Sequence, residues 1–176
     1  MLVYRGGALA KAGHNHVIAS HTMSGMAWVP EDIARASFEV HVPVLWFTID
    51  EPSLRALEGR DFAAQVPDSA REGTKKNMLS EPMLDGLRFP EIILRSGRLE
   101  PGSEGLLCQV DVTVRDQTRT LAVPLRYELN GDALRVQGEL ALKQTDLGLT
   151  PFSLFGGALR VEDEMRVKFF VLARAE

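Results

Sequence analysis

The chain has 176 residues, 45% hydrophobic and 25% charged, a length and balance that fit one globular domain able to bury its own core. Its net charge of −4 excludes the clustered cationic surface that nucleic-acid binding needs, and neither Lys75-Lys76 nor Arg115 to Arg119 supplies one. A single Cys108 excludes an internal disulfide, and no window reaches the roughly 18 to 20 apolar residues of a membrane helix.

The opening segment, Met1 to Gly13, is apolar and glycine-rich but has no uninterrupted apolar core of signal-peptide length. As numbered, this places the protein in the cytoplasm; a leader removed upstream would place it in the periplasm. The next segment, Gly13-His14-Asn15-His16-Val17, sets two histidines at i and i+2, so in an extended strand both imidazoles share a face. With His21 they are candidate ligands for zinc or copper, although an uninterrupted strand sends His21 to the opposite face. The alternatives are hydrogen bonding within loops at a barrel mouth and contact with a ligand's polar head.

Residues 17–29 are compatible with a strand that ends at Trp28-Val29-Pro30. From Arg35 to Trp46 the alternation is clear: Phe38, Val40, Val42, Val44 and Trp46 fall on one parity, with Ser37, Glu39 and His41 on the other. It stops at Asp50-Glu51-Pro52, and a helical insertion spanning about residues 51–88 follows. Within it Asp68 and Glu72 mark a helix start, with Ala70, Thr74, Met78 and Leu79 as an apolar stripe.

Alternation resumes at Ile92 and Leu94. Leu106, Cys108, Val110, Val112 and Val114 form one inward row, and Leu121, Val123, Leu125, Tyr127 and Leu129 the next. Asn130-Gly131 is a strong hairpin signal, because both residues tolerate positive φ. It leads into Leu134, Val136, Gly138, Leu140 and Leu142. After a loop over 143–157, a last strand carries Leu159, Val161, Met165, Val167, Phe169 and Val171, with Asp163 on the same parity. That acid marks either a bulge or a buried carboxylate paired with Arg135 or Lys143.

About eight strands, one helical insertion and no βαβ rhythm predict a mainly all-β single domain over 1–176. The economical architecture is an eight-stranded antiparallel barrel, closed or nearly closed, with two-sheet packing as the alternative. A barrel of this size is either filled by its side chains or holds one small guest. The inward rows are apolar, so a guest would be apolar too. The residues expected to line its space are Phe38, Val40, Val42, Trp46, Cys108, Val110, Val112, Leu125, Tyr127, Val136, Leu140, Phe152, Phe155, Val167 and Phe169. Cys108, within an apolar run, reads as a small buried residue rather than a nucleophile. Ser20 and His21 are neighbours facing opposite ways, and no other pair places a nucleophile beside a base. No catalytic residue is therefore assigned, and the protein is expected to be a binder rather than an enzyme.

In several motifs the chain resembles the YceI-like family, small lipocalin-like barrels that bind polyisoprenoid or other amphiphilic lipids. The motifs are Gly13-His14-Asn15-His16-Val17, Ser24-Gly25, Phe38-Glu39-Val40-His41-Val42-Pro43-Val44, Phe89-Pro90-Glu91-Ile92 with Ser96, and Lys143-Gln144-Thr145-Asp146-Leu147-Gly148-Leu149. The paired histidines mark a branch of that family. The chain departs from the family pattern where Arg60-Asp61-Phe62 stands well ahead of Met78-Leu79, and where Leu45-Trp46-Phe47 replaces a small-polar strand end. The resemblance implies a bound polyisoprenoid, isoprenoid quinone or similar long-chain molecule rather than a cofactor, carried or sequestered in the lumen. It also implies a homodimer. The competing reading is a metal-binding protein or metal-dependent enzyme using His14, His16 and His21.

Overall fold

The computed structural model describes residues 1–103 and 105–175. Its strands are β1 (Leu2–Gly6), β2 (His16–Ala19), β3 (Ser24–Trp28), β4 (Ser37–Pro43), β5 (Thr48–Ile49), β6 (Glu91–Gly102), β7 (Gly105–Val114), β8 (Gln117–Asn130), β9 (Ala133–Lys143), β10 (Ser153–Leu154) and β11 (Leu159–Arg174). Two helices, α1 (Pro52–Arg55) and α2 (Asp68–Met78), lie between β5 and β6, inside the stretch where the alternation lapses. Pro52 opens α1 at its first helical position, where a missing N–H costs nothing.

Every strand pairing is antiparallel, and the hydrogen-bonded order is β3-β4-β6-β7-β8-β9-β11-β1-β2-β5, with β10 on the edge of β11. The outermost strands, β3 and β5, do not pair with each other. Residues 20–23 join β2 to β3, and residues 44–47 join β4 to β5. The sheet is therefore curled into an incompletely closed barrel whose two ends are held near each other by short connections.

The count of about eight expected from the sequence becomes eleven among the described residues, three of the additions being short pieces. Residues 17–29 are broken into two strands at 20–23, and β5 and β10 have two residues each, too few to show a period. The Asn130-Gly131 hairpin forms, with Gly131 at φ 61°. Arg115, a non-glycine residue at φ 58°, and Asp116 make the tight turn between β7 and β8.

The inward rows follow the alternation. Cys108, Val110, Val112 and Val114 are buried, and Leu125, Leu99, Met165, Val3, Ile18 and Ile49 join them in one core. One end of the barrel is plugged. Val44, Phe47, Leu84 and Leu147 are buried there, and Met78 and Leu79, at the end of α2, pack against them. A second, smaller cluster, Leu2, Val17 and Phe62, covers the other face of β1 and β2.

Two residues expected in the lumen lie outside it. Trp46 is 69% exposed, because β4 ends at Pro43 and the chain turns through a 3-10 helix over Val44–Trp46. That turn buries Val44 and swings Trp46 out, so the strand parity no longer applies. Phe155 is 76% exposed in a turn where it, Gly156 and Gly157 all have positive φ. No strand alternation governs it either.

Candidate functional site

The interior has two kinds of wall. Cys108, Val110, Val112 and Leu125 are buried, with Phe38, Val42, Val136 and Phe169 half-buried against them. Val40, Leu140 and Val167 share the inward parity of these rows but are only half-buried and stand outside the packed core. Tyr127 continues the inward row of β8 towards the far end and is 36% exposed. Phe152 is half-buried beside β11, and its carbonyl accepts from Val161 N at 2.9 Å.

That far end is open because three strands outrun their neighbours. The last β7–β8 pair is Leu106↔Leu125, whereas β8 and β9 remain paired to Asn130↔Ala133, and β9 and β11 to Ala133↔Arg174. The inward apolar row of the overhang, with Leu129 at 55% exposure, is therefore uncovered.

Asp163 is the one acid on the inward parity of β11, and it does not reach into the lumen. The pairing of β1 with β11 steps from Val3↔Met165 to Arg5↔Val161, a bulge across 162–164. Asp163 there accepts from Thr145 N at 3.0 Å and Thr145 Oγ1 at 2.7 Å, and these bonds hold its carboxyl below the usual range. No ion pair with Arg135 or Lys143 forms: Arg135 stands 3.9 Å from Glu128. Burial pushes the Cys108 thiol up, which keeps it protonated and unreactive.

The His14-Asn15-His16 segment is a structural clasp. A carboxylate only accepts, so His16 Nδ1 donates to Asp50 Oδ2 at 2.6 Å; His16 Nε2 stands 3.2 Å from Thr74 Oγ1 of α2. Asp50 is 2% exposed. Its Oδ1 also accepts from Val17 N at 2.8 Å and from Arg55 Nη1 at 2.5 Å. Burial works against the Asp50 charge, but the bonds from His16, Val17 and Arg55 outweigh it, so its carboxyl is held below the usual range. Arg55, itself buried, further donates to Asn15 O at 2.8 Å and Ala64 O at 3.0 Å. Asn15 completes the tie: Oδ1 accepts from Arg5 N at 3.0 Å, and Nδ2 donates to Asp61 O at 3.1 Å.

This network joins β1, β2, α1 and α2. It leaves little for a metal, because both His16 nitrogens are engaged and His14 lies at a ring-centroid distance of 6.0 Å from it. His21 is turned to Glu51 at 2.7 Å. Among the described residues no group of three or more His, Cys, Asp or Glu side chains is placed to hold an ion. The histidines were visible in the sequence, but Asp50, Arg55 and Thr74 were not singled out as their partners. The available signal was Asp50 and Arg55 flanking a helix-opening Pro52.

A curled antiparallel sheet with an apolar interior, plugged at one end by a helical insertion and open at the other, defines a lipocalin-like barrel. Residues 11–173 match the YceI-like domain, and the chain belongs to that family. It is similar in structure to BcnA of Burkholderia cenocepacia, at 15% identity and a TM-score of 0.65 over 98% of this chain and 95% of that one. It is also similar to the YCEI protein of Campylobacter jejuni, at 9% identity and a TM-score of 0.63 over 91% and 85%. No curated protein matches it.

Proposed function

We propose that the protein binds one long-chain amphiphile, an isoprenoid, an isoprenoid quinone or a similar lipid, with its tail in the lumen, for carriage or sequestration. The observation that carries this is the set of apolar side chains on the inward parity that the fold leaves incompletely covered: Val40 of β4, Tyr127 of β8, Leu140 of β9 and Val167 of β11. Water against such a wall is unfavourable, and an alkyl chain replacing it gains about 0.8 kcal/mol per methylene buried. The outward rows of β7 and β9 are mainly polar, with Gln109, Asp111 and Thr113 on one and Gln137 and Glu139 on the other, so on these strands the apolar face belongs to the interior by pattern. Binding of this kind needs no catalytic group, and the inward acid Asp163 is committed to Thr145. The family likeness supports the same class of ligand.

The test is Leu140→Trp. The residue is half-buried on the lumen side, so added bulk occupies guest space rather than packed core. Uptake of a fluorescent long-chain probe is expected to fall at least tenfold while the thermal midpoint is kept. Unchanged uptake by a folded variant would place the guest elsewhere.

A further inference from the structure

The barrel wall is notched between β11 and β3. β1 is flanked by β11 and β2, with Leu2 opposite Arg166 on one side and Val17 on the other. Met1 closes this ladder: its amine donates to Ile18 O at 2.7 Å, and its carbonyl accepts from Ile18 N at 2.8 Å. Past that point residues 167–174 of β11 pair with β9 alone. Across from them, β3 continues the line of β2. Both pair on the same side with successive pieces of one segment, β2 with β5 and β3 with β4, so the unpaired edge of β3 faces the line of β1. At its foot the gap is one strand wide, and two inter-strand spacings put roughly 10 Å between the flanking backbones.

The gap opens into the lumen. Gly25 stands opposite Val40 and Ala27 opposite Phe38, and residues directly opposite share a face, so both positions look inward. Both are nevertheless exposed, as are all of residues 21–28. Incompletely covered lumen residues gather here as well: Val40 beside Gly25, Val167 at the foot of the notch, and Leu140 paired with Val167. On the outer side the banks carry exposed apolar side chains, Met26 and Trp28 on β3, Phe170 and Leu172 on β11. Free strand edges are ordinarily guarded by charge or proline, and neither Ser24–Trp28 nor residues 169–173 hold either.

We propose that the amphiphile enters and leaves sideways through this notch, its chain passing between β3 and β11 into the lumen and its head staying outside against the free edge of β11. The inference rests on the lumen reading given above. An alkyl or isoprenyl chain is slimmer than a peptide strand with its side chains, so a gap of this width admits it. The edge selects the head. Alternate residues of an edge strand turn their N–H and C=O groups to the free side. Between Lys168, which is paired with Glu58 at 2.6 Å, and Arg174, the edge therefore offers hydrogen bonds and no fixed charge. That fits an uncharged head, a quinone carbonyl or a hydroxyl, rather than a carboxylate or phosphate.

The experiment uses bimane attached at Ala27→Cys, on the β3 bank, and separately at Leu129→Cys, near the hairpin end of β8; Cys108 is buried and stays unlabelled. Each, and unlabelled wild type, is titrated with methyl stearate carrying a nitroxide near the ester. Immobilisation of the nitroxide in its paramagnetic resonance spectrum reports binding independently of the quenching. The expected result is immobilised probe, loss of most bimane fluorescence at position 27, and little loss at position 129. Immobilised probe with quenching confined to position 129 overturns the notch and leaves lumen binding intact. Absence of immobilisation in wild type overturns the lumen reading itself. The corresponding acid, in its ionised form, reads the head: the ester is expected to bind at least tenfold more tightly, and equal or tighter binding of the carboxylate overturns the uncharged head. Should Ala27→Cys fail to fold, Met26→Cys, 82% exposed on the outer side of the same bank, reads the same contrast.

Discussion

Replacing Asp50 by asparagine tests the clasp without changing side-chain volume. The carboxylate accepts from His16 Nδ1, Val17 N and Arg55 Nη1 at 2.5 to 2.8 Å, and an amide keeps only one oxygen to serve them. Its NH2 group then faces a donor, and Arg55, 8% exposed, keeps its charge with only the Asn15 and Ala64 carbonyls as acceptors. Breaking a buried ion pair from one side costs about 3–5 kcal/mol, and the two surviving carbonyl bonds place this case near about 3 kcal/mol. For a chain of this size that corresponds to a fall in Tm of roughly 6–12 °C. Urea unfolding of wild type, Asp50→Asn, Arg55→Met and the double variant measures it; the double variant should lose less than the sum of the singles. A loss below about 0.5 kcal/mol in Asp50→Asn would refute the argument that the His-Asn-His segment is held for structural reasons. The sign with pH follows. A carboxyl depressed in the fold stabilises above its unfolded value, about 3.9, and this contribution disappears as pH falls further through the folded value, so Asp50→Asn should narrow its gap to wild type in strong acid.

Other outcomes follow from the same geometry. In an NMR titration His14 should protonate below the free-imidazole value of about 6.5, because burial and the neighbouring His16 and Arg5 disfavour its charge. His41 should protonate above it, because Glu91 and Glu39 accept from its two nitrogens at 2.9 and 2.8 Å. Gly138→Ala should destabilise by about 1–3 kcal/mol in urea, since its Cβ has to displace the Phe169 ring or the Pro124 carbonyl. Trp46→Ala, at a site 69% exposed, should leave both stability and probe uptake within about 0.5 kcal/mol of wild type.

The long strands were legible because period-two alternation survives wherever one face is buried, and β7 with its Cys108-to-Val114 row shows this directly. The helix over Asp68–Met78 followed from its start signal and its stripe, in which Ala70, Thr74 and Met78 are half-buried. Parity failed where the backbone leaves the strand, at Trp46 after Pro43 and at Phe155 in a run of positive φ. Partners of the histidines were not legible, because Asp50 and Thr74 lie 34 and 58 residues from His16 and only the fold brings them together.

The central claim, an apolar lumen occupied by a lipid, is tested most directly by organic extraction of the protein purified without detergent, followed by mass spectrometry and elemental analysis of the same sample. The expected result is one class of long-chain amphiphile near equimolar with protein, depleted in Leu140→Trp. Absence of any such lipid, together with no thermal shift on adding long-chain quinones, would contradict the account. A stoichiometric metal lost in the His14→Ala/His16→Ala variant would contradict it in favour of a metal site.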